Sequence, residues 1–117
     1  MRNFKEYHVW KNSHELVLKI YEMVGNLPSE EKFALKQQMC RAAYSIPSNF
    51  AEGCGRGSDK DFNRFLQICL GSAHELEYFV FLSKELKYIE TSTADDLDQR
   101  INSVKKQLYA LSQKLKL

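Results

Sequence analysis

Glycine and proline are scarce in this 117-residue chain: it has 5 Gly and 2 Pro, and Gly53, Gly55 and Gly57 are three of those glycines. So few breakers exclude a many-turned β fold and favour long helices. Cysteine is scarce too. Cys40, Cys54 and Cys69 are scattered without a C-x-x-C spacing, which argues against a disulfide framework and a zinc site and for reduced thiols packed as small apolar groups. No apolar run approaches the roughly 18 residues of a membrane span. The opening residues Met-Arg-Asn-Phe-Lys-Glu lack a signal-peptide h-region, so a cytoplasmic protein is expected, with no membrane partner. A strong charge excess is also missing. The net charge of +2 permits nucleic-acid binding without indicating it.

What is present is helical periodicity. The length suits one domain, residues 1–117, with a single core. Leu16, Val17, Ile20, Tyr21, Val24 and Leu27 give a first helix, Tyr7 to Gly25, stopped by Gly25 and Pro28. His8 and His14 face different directions and read as surface or rim side chains. A short turn, Ser29 to Lys32, precedes a second helix predicted from Phe33 to Glu52 and a loop from Gly53 to Gly57. Ser58, with Asp61 three residues on, has the spacing of a capped helix start. The third helix, Ser58 to Ile89, is the longest. Thr93 to Asp96 has the same spacing and is expected to open the fourth, in which Leu97, Ile101, Val104, Leu108, Leu111 and Leu115 form a heptad seam. Short connections make neighbours antiparallel, so the expected fold is an all-α, up-and-down four-helix bundle.

The second helix organises the rest. Met39, Ala42, Ala43, Ile46 and Phe50 fall on one side. Arg41, Ser45, Asn49, Glu52 and Arg56 fall in a separate arc roughly 80° wide at 100° per residue. Pro47 interrupts the hydrogen-bond ladder at a cost of about 3 kcal/mol in a helix interior. Either the helix kinks at Ser45-Ile46, or polar side chains satisfy the freed carbonyls, with Asn49 and Ser45 nearest.

The third helix carries more apolar surface than one bundle buries. Phe62, Phe65, Leu66, Cys69, Ala73, Leu76 and Val80 make the core stripe. Ile68, Phe79, Leu82 and Leu86 lie about 100° or more away. Gly71 and Ser72 would let another backbone approach. These six residues, Ile68, Gly71, Ser72, Phe79, Leu82 and Leu86, are the candidate contacts of a homo-oligomer.

Catalytic chemistry finds no support. Glu52, Glu75 and Glu77 lack partners at catalytic spacing, His74 has no adjacent nucleophile, and the glycine stretch lacks the strand and the Gly-Lys-Ser/Thr ending of a phosphate loop. A non-enzyme without cofactor, metal or catalytic residues is expected. Cations are the better candidates. Arg56 precedes the N-terminus of the third helix, where backbone N–H groups suit a phosphate, and Arg41 shares its arc. Against this, Glu52 could neutralise Arg41, given a bend or a neighbouring chain. Arg100, Lys105, Lys106, Lys114 and Lys116 crowd the fourth helix with no acid after Asp98. Such cations complement a helix dipole or form a solvated face; repeated by symmetry they could engage RNA or DNA. The third helix is net −2 over residues 58–91, from six acids and four bases, a face that could meet a protein partner instead.

One pattern is longer than any of these. Phe33-x-Leu35-x-x-Gln38-x-x-Arg41-Ala42-Ala43-x-Ser45-Ile46-Pro47-x-Asn49-x-Ala51-Glu52-Gly53-x-Gly55-Arg56, extended by Phe62-x-x-Phe65-Leu66 and Gly71-Ser72-x-x-Glu75-Leu76, resembles the signature of the bacterial 23S rRNA-intervening-sequence proteins. The resemblance spans nearly the whole chain; Phe50 stands where the family often has a smaller aliphatic residue. It makes Ser45, Pro47, Asn49, Glu52, Gly53 and Gly55 motif residues. It implies a bundle assembled as a pentameric barrel, with genes that can lie inside insertions in large-subunit ribosomal RNA genes, and no known catalytic residues. The accessory proteins of diversity-generating retroelements are similar. They are basic pentamers that bind a reverse transcriptase and nucleic acid. Two functions are therefore expected in competition: an oligomeric nucleic-acid-binding accessory protein, or a homo-oligomeric scaffold that docks another protein.

Overall fold

Apolar residues at three- and four-residue spacing generate each helix, and the computed structural model, which describes residues 2–115 and 117, shows where each stripe points. Among those residues there are four α-helices and no strand: α1 His8–Val24, α2 Leu35–Cys54, α3 Asp59–Glu85 and α4 Thr91–Lys114. Two 3-10 turns, Phe4–Glu6 and Ser29–Glu31, precede α1 and α2. Each helix packs on the next in sequence, and α1 closes on α4, while no diagonal pair of helices brings Cα atoms within 8 Å of each other among the described residues. The helices alternate in direction. Met39 meets Ser83 and Gly53 meets Phe65 across α2–α3, Asn63 meets Ser112 and Glu77 meets Lys105 across α3–α4, and Tyr7 meets Phe50 across α1–α2. The rod measures 44 × 24 × 20 Å.

The core is the sum of the four stripes. Leu16 and Ile20 of α1, Met39, Ile46 and Phe50 of α2, Phe62, Leu66 and Leu76 of α3, and Ile101 and Leu108 of α4 are all buried. Each contributes about 1.5–3 kcal/mol relative to an exposed position. The heptad positions Leu97 to Leu108 are buried, and Leu111 and Leu115 pack partly against the core. Buried polar groups are few and partnered: Ser13 Oγ donates to Trp10 O and Ser83 Oγ to Phe79 O.

Several helix ends differ from the sequence reading. α2 starts at Leu35, leaving Phe33 81% exposed, and runs through Gly53 to Cys54. Gly53 lies inside the helix at a close approach to α3, where a Cβ would lie 2.7 Å from Phe65 Cβ. α3 ends at Glu85, four residues early, because Lys87 takes a left-handed φ of 64° and Tyr88 N–H closes back on Ser83 O. α4 begins at Thr91 with Glu90 as an N-cap that makes no side-chain bond, so Thr93 lies inside the helix. Ser58 is the α3 N-cap as expected, its Oγ accepting from Asp61 N–H.

Pro47 sits in an unbroken stretch of α2. Asn49 Nδ2 donates to Ser45 O at 2.8 Å, and Cys69 Sγ to Ile46 O at 3.3 Å. The Ser45 hydroxyl itself turns to the Ser72 hydroxyl of α3. Both carbonyls lie beside the proline, but neither is Ala43 O, four residues back, which is the one the missing N–H of Pro47 frees; the expected side-chain rescue is therefore of the neighbouring carbonyls only.

Candidate nucleic-acid interface

The cations that the sequence singles out divide by the carboxylates beside them. Arg41 reaches Glu75 of α3 at 2.7 Å and Gln38 at 2.9 Å. Glu52 neutralises Arg56, at 3.0 Å, and not Arg41; Asp61 adds a second carboxylate at 3.9 Å. Arg56 also lies over the Phe65 ring, 4.9 Å from its centroid, with Arg64 at 4.5 Å on the same ring. The shared polar arc of Arg41 and Arg56 therefore makes two separate structural pairs, one tying α2 to α3 and the other closing on the last turn of α2. Arg100 pairs with Asp96 one turn back. Lys105 donates to Glu77 of α3 at 2.8 Å and is 18% exposed. That hydrogen bond holds the Glu77 carboxyl below its ordinary range, helped by Asn102 and opposed by burial.

Lys106 and Lys114 are different. Both are exposed, and neither has a carboxylate partner among the described residues. They do not share one stripe. Lys106 lines a groove of about 590 Å³ between α3 and α4, whereas Lys114 lines a cavity of about 570 Å³ beside the N-terminal segment, with Arg2 and His8. Lys116 lies outside the described residues.

The α3–α4 groove also contains Gln67, Gly71, His74, Asn102 and Tyr109. Tyr109 is 58% exposed. Of these five, the sequence alone offers only Gly71 as a contact residue. Tyr109 falls outside the heptad seam and one turn beyond Lys105 and Lys106, which is the signal that could have found it. Next to this groove, toward the start of α4, a second one of about 420 Å³ shares His74 and adds Glu77, Tyr78, Phe81, Lys84, Asp95 and Asp98. The α3–α4 face is thus basic at one end and acidic at the other.

The oligomer candidates separate as well. Ile68 and Leu86 are exposed at 40% and 45%, while Phe79 and Leu82 are half-buried against the core. Ser72 is engaged with Ser45, and Gly71 opens into the α3–α4 groove with nothing within 4 Å of an added Cβ. Ser72 lies on the same stripe of α3 as Ile68 and Phe79, four and seven residues from them, and Gly71 lies beside that stripe toward α4. Of the motif residues, Gly53 sets the α2–α3 approach and Gly55 is the α2 C-cap, its N–H donating to Glu52 O.

Cys54 and Cys69 are buried, and burial pushes their thiols up to about 11 and about 12; Cys40 is half-buried and raised for the same reason. No group of three or more His, Cys, Asp or Glu side chains could hold a metal among the described residues. No described helix is long and apolar enough to cross a membrane.

Comparison with known proteins places this architecture. No curated protein matches the chain. The crystal structure of a protein of unknown function from the S23 ribosomal protein family of Bacteroides thetaiotaomicron is similar, with a TM-score of 0.82 and 26% identity over 91% of this chain and 99% of that one. Residues 5–110 match the family model of the 23S rRNA-intervening sequence proteins, a span that includes all of α1, α2 and α3, the α2 motif and most of α4. The chain belongs to the 23S rRNA-intervening sequence protein family.

Proposed function

We propose that this protein is a non-enzymatic, oligomeric accessory protein that binds RNA or DNA through the solvent side of α4. The observation that carries the reading is the state of its cations: after Asp98, α4 has no acid through Lys114, and Lys106 and Lys114 stand exposed without a carboxylate among the described residues. Assembly supplies the remainder of the charge. The flank of Ile68, Phe79, Leu82 and Leu86 joins copies, five in the barrel that the family resemblance implies, and repetition multiplies two modest cations into an extended electrostatic surface. The cytoplasm is the compartment in which such a partner and three reduced thiols coexist.

The test is fluorescence anisotropy with labelled RNA and DNA across a salt series. Affinity should fall steeply with added salt, and Lys106→Glu with Lys114→Glu should reduce it at least tenfold at low salt. Binding that ignores salt, or no binding at low salt, overturns the reading.

A second reading has its own support. The acidic end of the α3–α4 face sets Asp95 and Asp98 beside exposed Tyr78 and Phe81, surroundings that repel phosphate and suit a protein. In this reading the oligomer is a scaffold for a protein such as a reverse transcriptase. A stable partner recovered from nuclease-treated lysate by the charge-reversed variant supports it, and an empty pull-down counts against it.

A further inference from the structure

We infer that the groove between α3 and α4 is a base-stacking subsite for single-stranded nucleic acid, with Tyr109 as the platform and Lys106 as the phosphate contact. The inference rests on the nucleic-acid reading above and deepens it.

Three features of the groove converge. The first is charge. Lys105 and Glu77 neutralise each other at 2.8 Å, so the groove keeps the charge of Lys106, and an anion meets a net positive wall. The second is an aromatic face. Tyr109 is 58% exposed one turn from Lys106, and successive bases stack on such rings in sequence-tolerant single-strand sites. The third is room. Gly71 leaves the α3 wall without a side chain, and nothing lies within 4 Å of where a Cβ would be. A space of about 590 Å³ has room for a nucleotide, and only an unpaired base, not one already stacked in a duplex, is free to lie on the ring.

The rim adds a preference. Gln67 Nε2 donates to Ser112 Oγ at 3.3 Å, and Asn102 Nδ2 to Asp98 O at 2.9 Å. Neither amide's carbonyl oxygen accepts a hydrogen bond from the described residues, so both remain as acceptors on residues that line the groove. Acceptors of this kind favour bases that carry an exocyclic amino group. Cytosine has one and uracil has none.

The experiment is anisotropy at low salt with labelled oligo(C) and oligo(U) RNA, about ten nucleotides long to fit a single-strand site, and a duplex of the same length. The variants are Tyr109→Ala, Tyr109→Phe and Gly71→Leu, each checked for helicity by circular dichroism. Tyr109→Ala should weaken oligo(C) binding by roughly tenfold, as loss of one stacked base does. Tyr109→Phe, which keeps the ring, should restore it. Gly71→Leu, which fills the groove at an open site, should match Tyr109→Ala. Oligo(C) should bind more tightly than oligo(U) and than the duplex. If Lys106→Glu with Lys114→Glu abolishes binding while Tyr109→Ala and Gly71→Leu leave it unchanged, the groove is overturned and the wider nucleic-acid reading stands. If the wild-type protein binds no oligonucleotide at low salt, both fall.

Discussion

Gly53 and Gly71 are both helical and both belong to the family-like sequence pattern, yet they sit under opposite constraints. An added methyl at Gly53 would meet the Phe65 Cβ at 2.7 Å, an atom fixed to the α3 backbone. At Gly71 it would meet nothing within 4 Å. Gly53→Ala should therefore cost about 1–3 kcal/mol, although alanine is the better helix former. Gly71→Ala should raise stability by up to about 1 kcal/mol. Urea unfolding of the two variants reads the difference directly. Glu77 offers a second measurement at this scale. Its carboxyl is held below the ordinary 4.5 chiefly by the Lys105 hydrogen bond. A depressed folded-state pKa contributes stability that is present above the unfolded value and lost as pH falls through the folded one. Glu77→Gln should thus lower the melting temperature near neutral pH, by an amount equivalent to at most about 1 kcal/mol for a pair at the surface. The gap from wild type should close in strong acid.

At the scale of the element, the helices are legible from their period and their ends are not. The α3 core stripe from Phe62 to Val80 and the α4 seam from Leu97 to Leu108 are buried as their spacing requires. Ends depend on local backbone states that composition does not carry. The α3 stop is a lysine in the left-handed region, where glycine would have been recognisable. The Gly53-x-Gly55 stretch looks like a loop until the neighbouring phenylalanine explains why a helix needs its smallest residue there. The candidate site is hidden for the same reason. A set of cations is legible in the chain, but whether each is neutralised depends on pairs such as Glu77 and Lys105 or Arg41 and Glu75, which come from different helices. Lys87→Gly tests the helix stop. Relief of the left-handed strain, less the added freedom of the unfolded chain, should stabilise the protein by about 0.5–1 kcal/mol. A higher urea midpoint with unchanged helicity is the expected result, and a lower midpoint would show that the lysine side chain holds the corner.

For the whole molecule, the question is what covers the outer apolar flank of α3. Ile68 and Leu86 are exposed there at 40% and 45%, at sites where an isolated bundle would tolerate a charge. In an assembly the same change brings like charges together in an apolar contact. Light scattering at micromolar concentration should give a multiple of the 13.7 kDa chain mass. Ile68→Asp with Leu86→Asp should give the single-chain mass with helicity intact. A wild-type protein that stays a single copy at high concentration would remove the basis for a symmetric surface.

The order in which the helices touch carries a kinetic consequence. α1 meets α2, α2 meets α3 and α3 meets α4 across short connections, so most of the bundle can zip from local encounters at the fast end of the folding range. Among the helix pairs, the α1–α4 contact alone joins distant parts of the chain, with Asn12 bonded to Gln107. That closure loses the most chain entropy for the least contact, and it should be the last to form and the first to open in native-state hydrogen exchange.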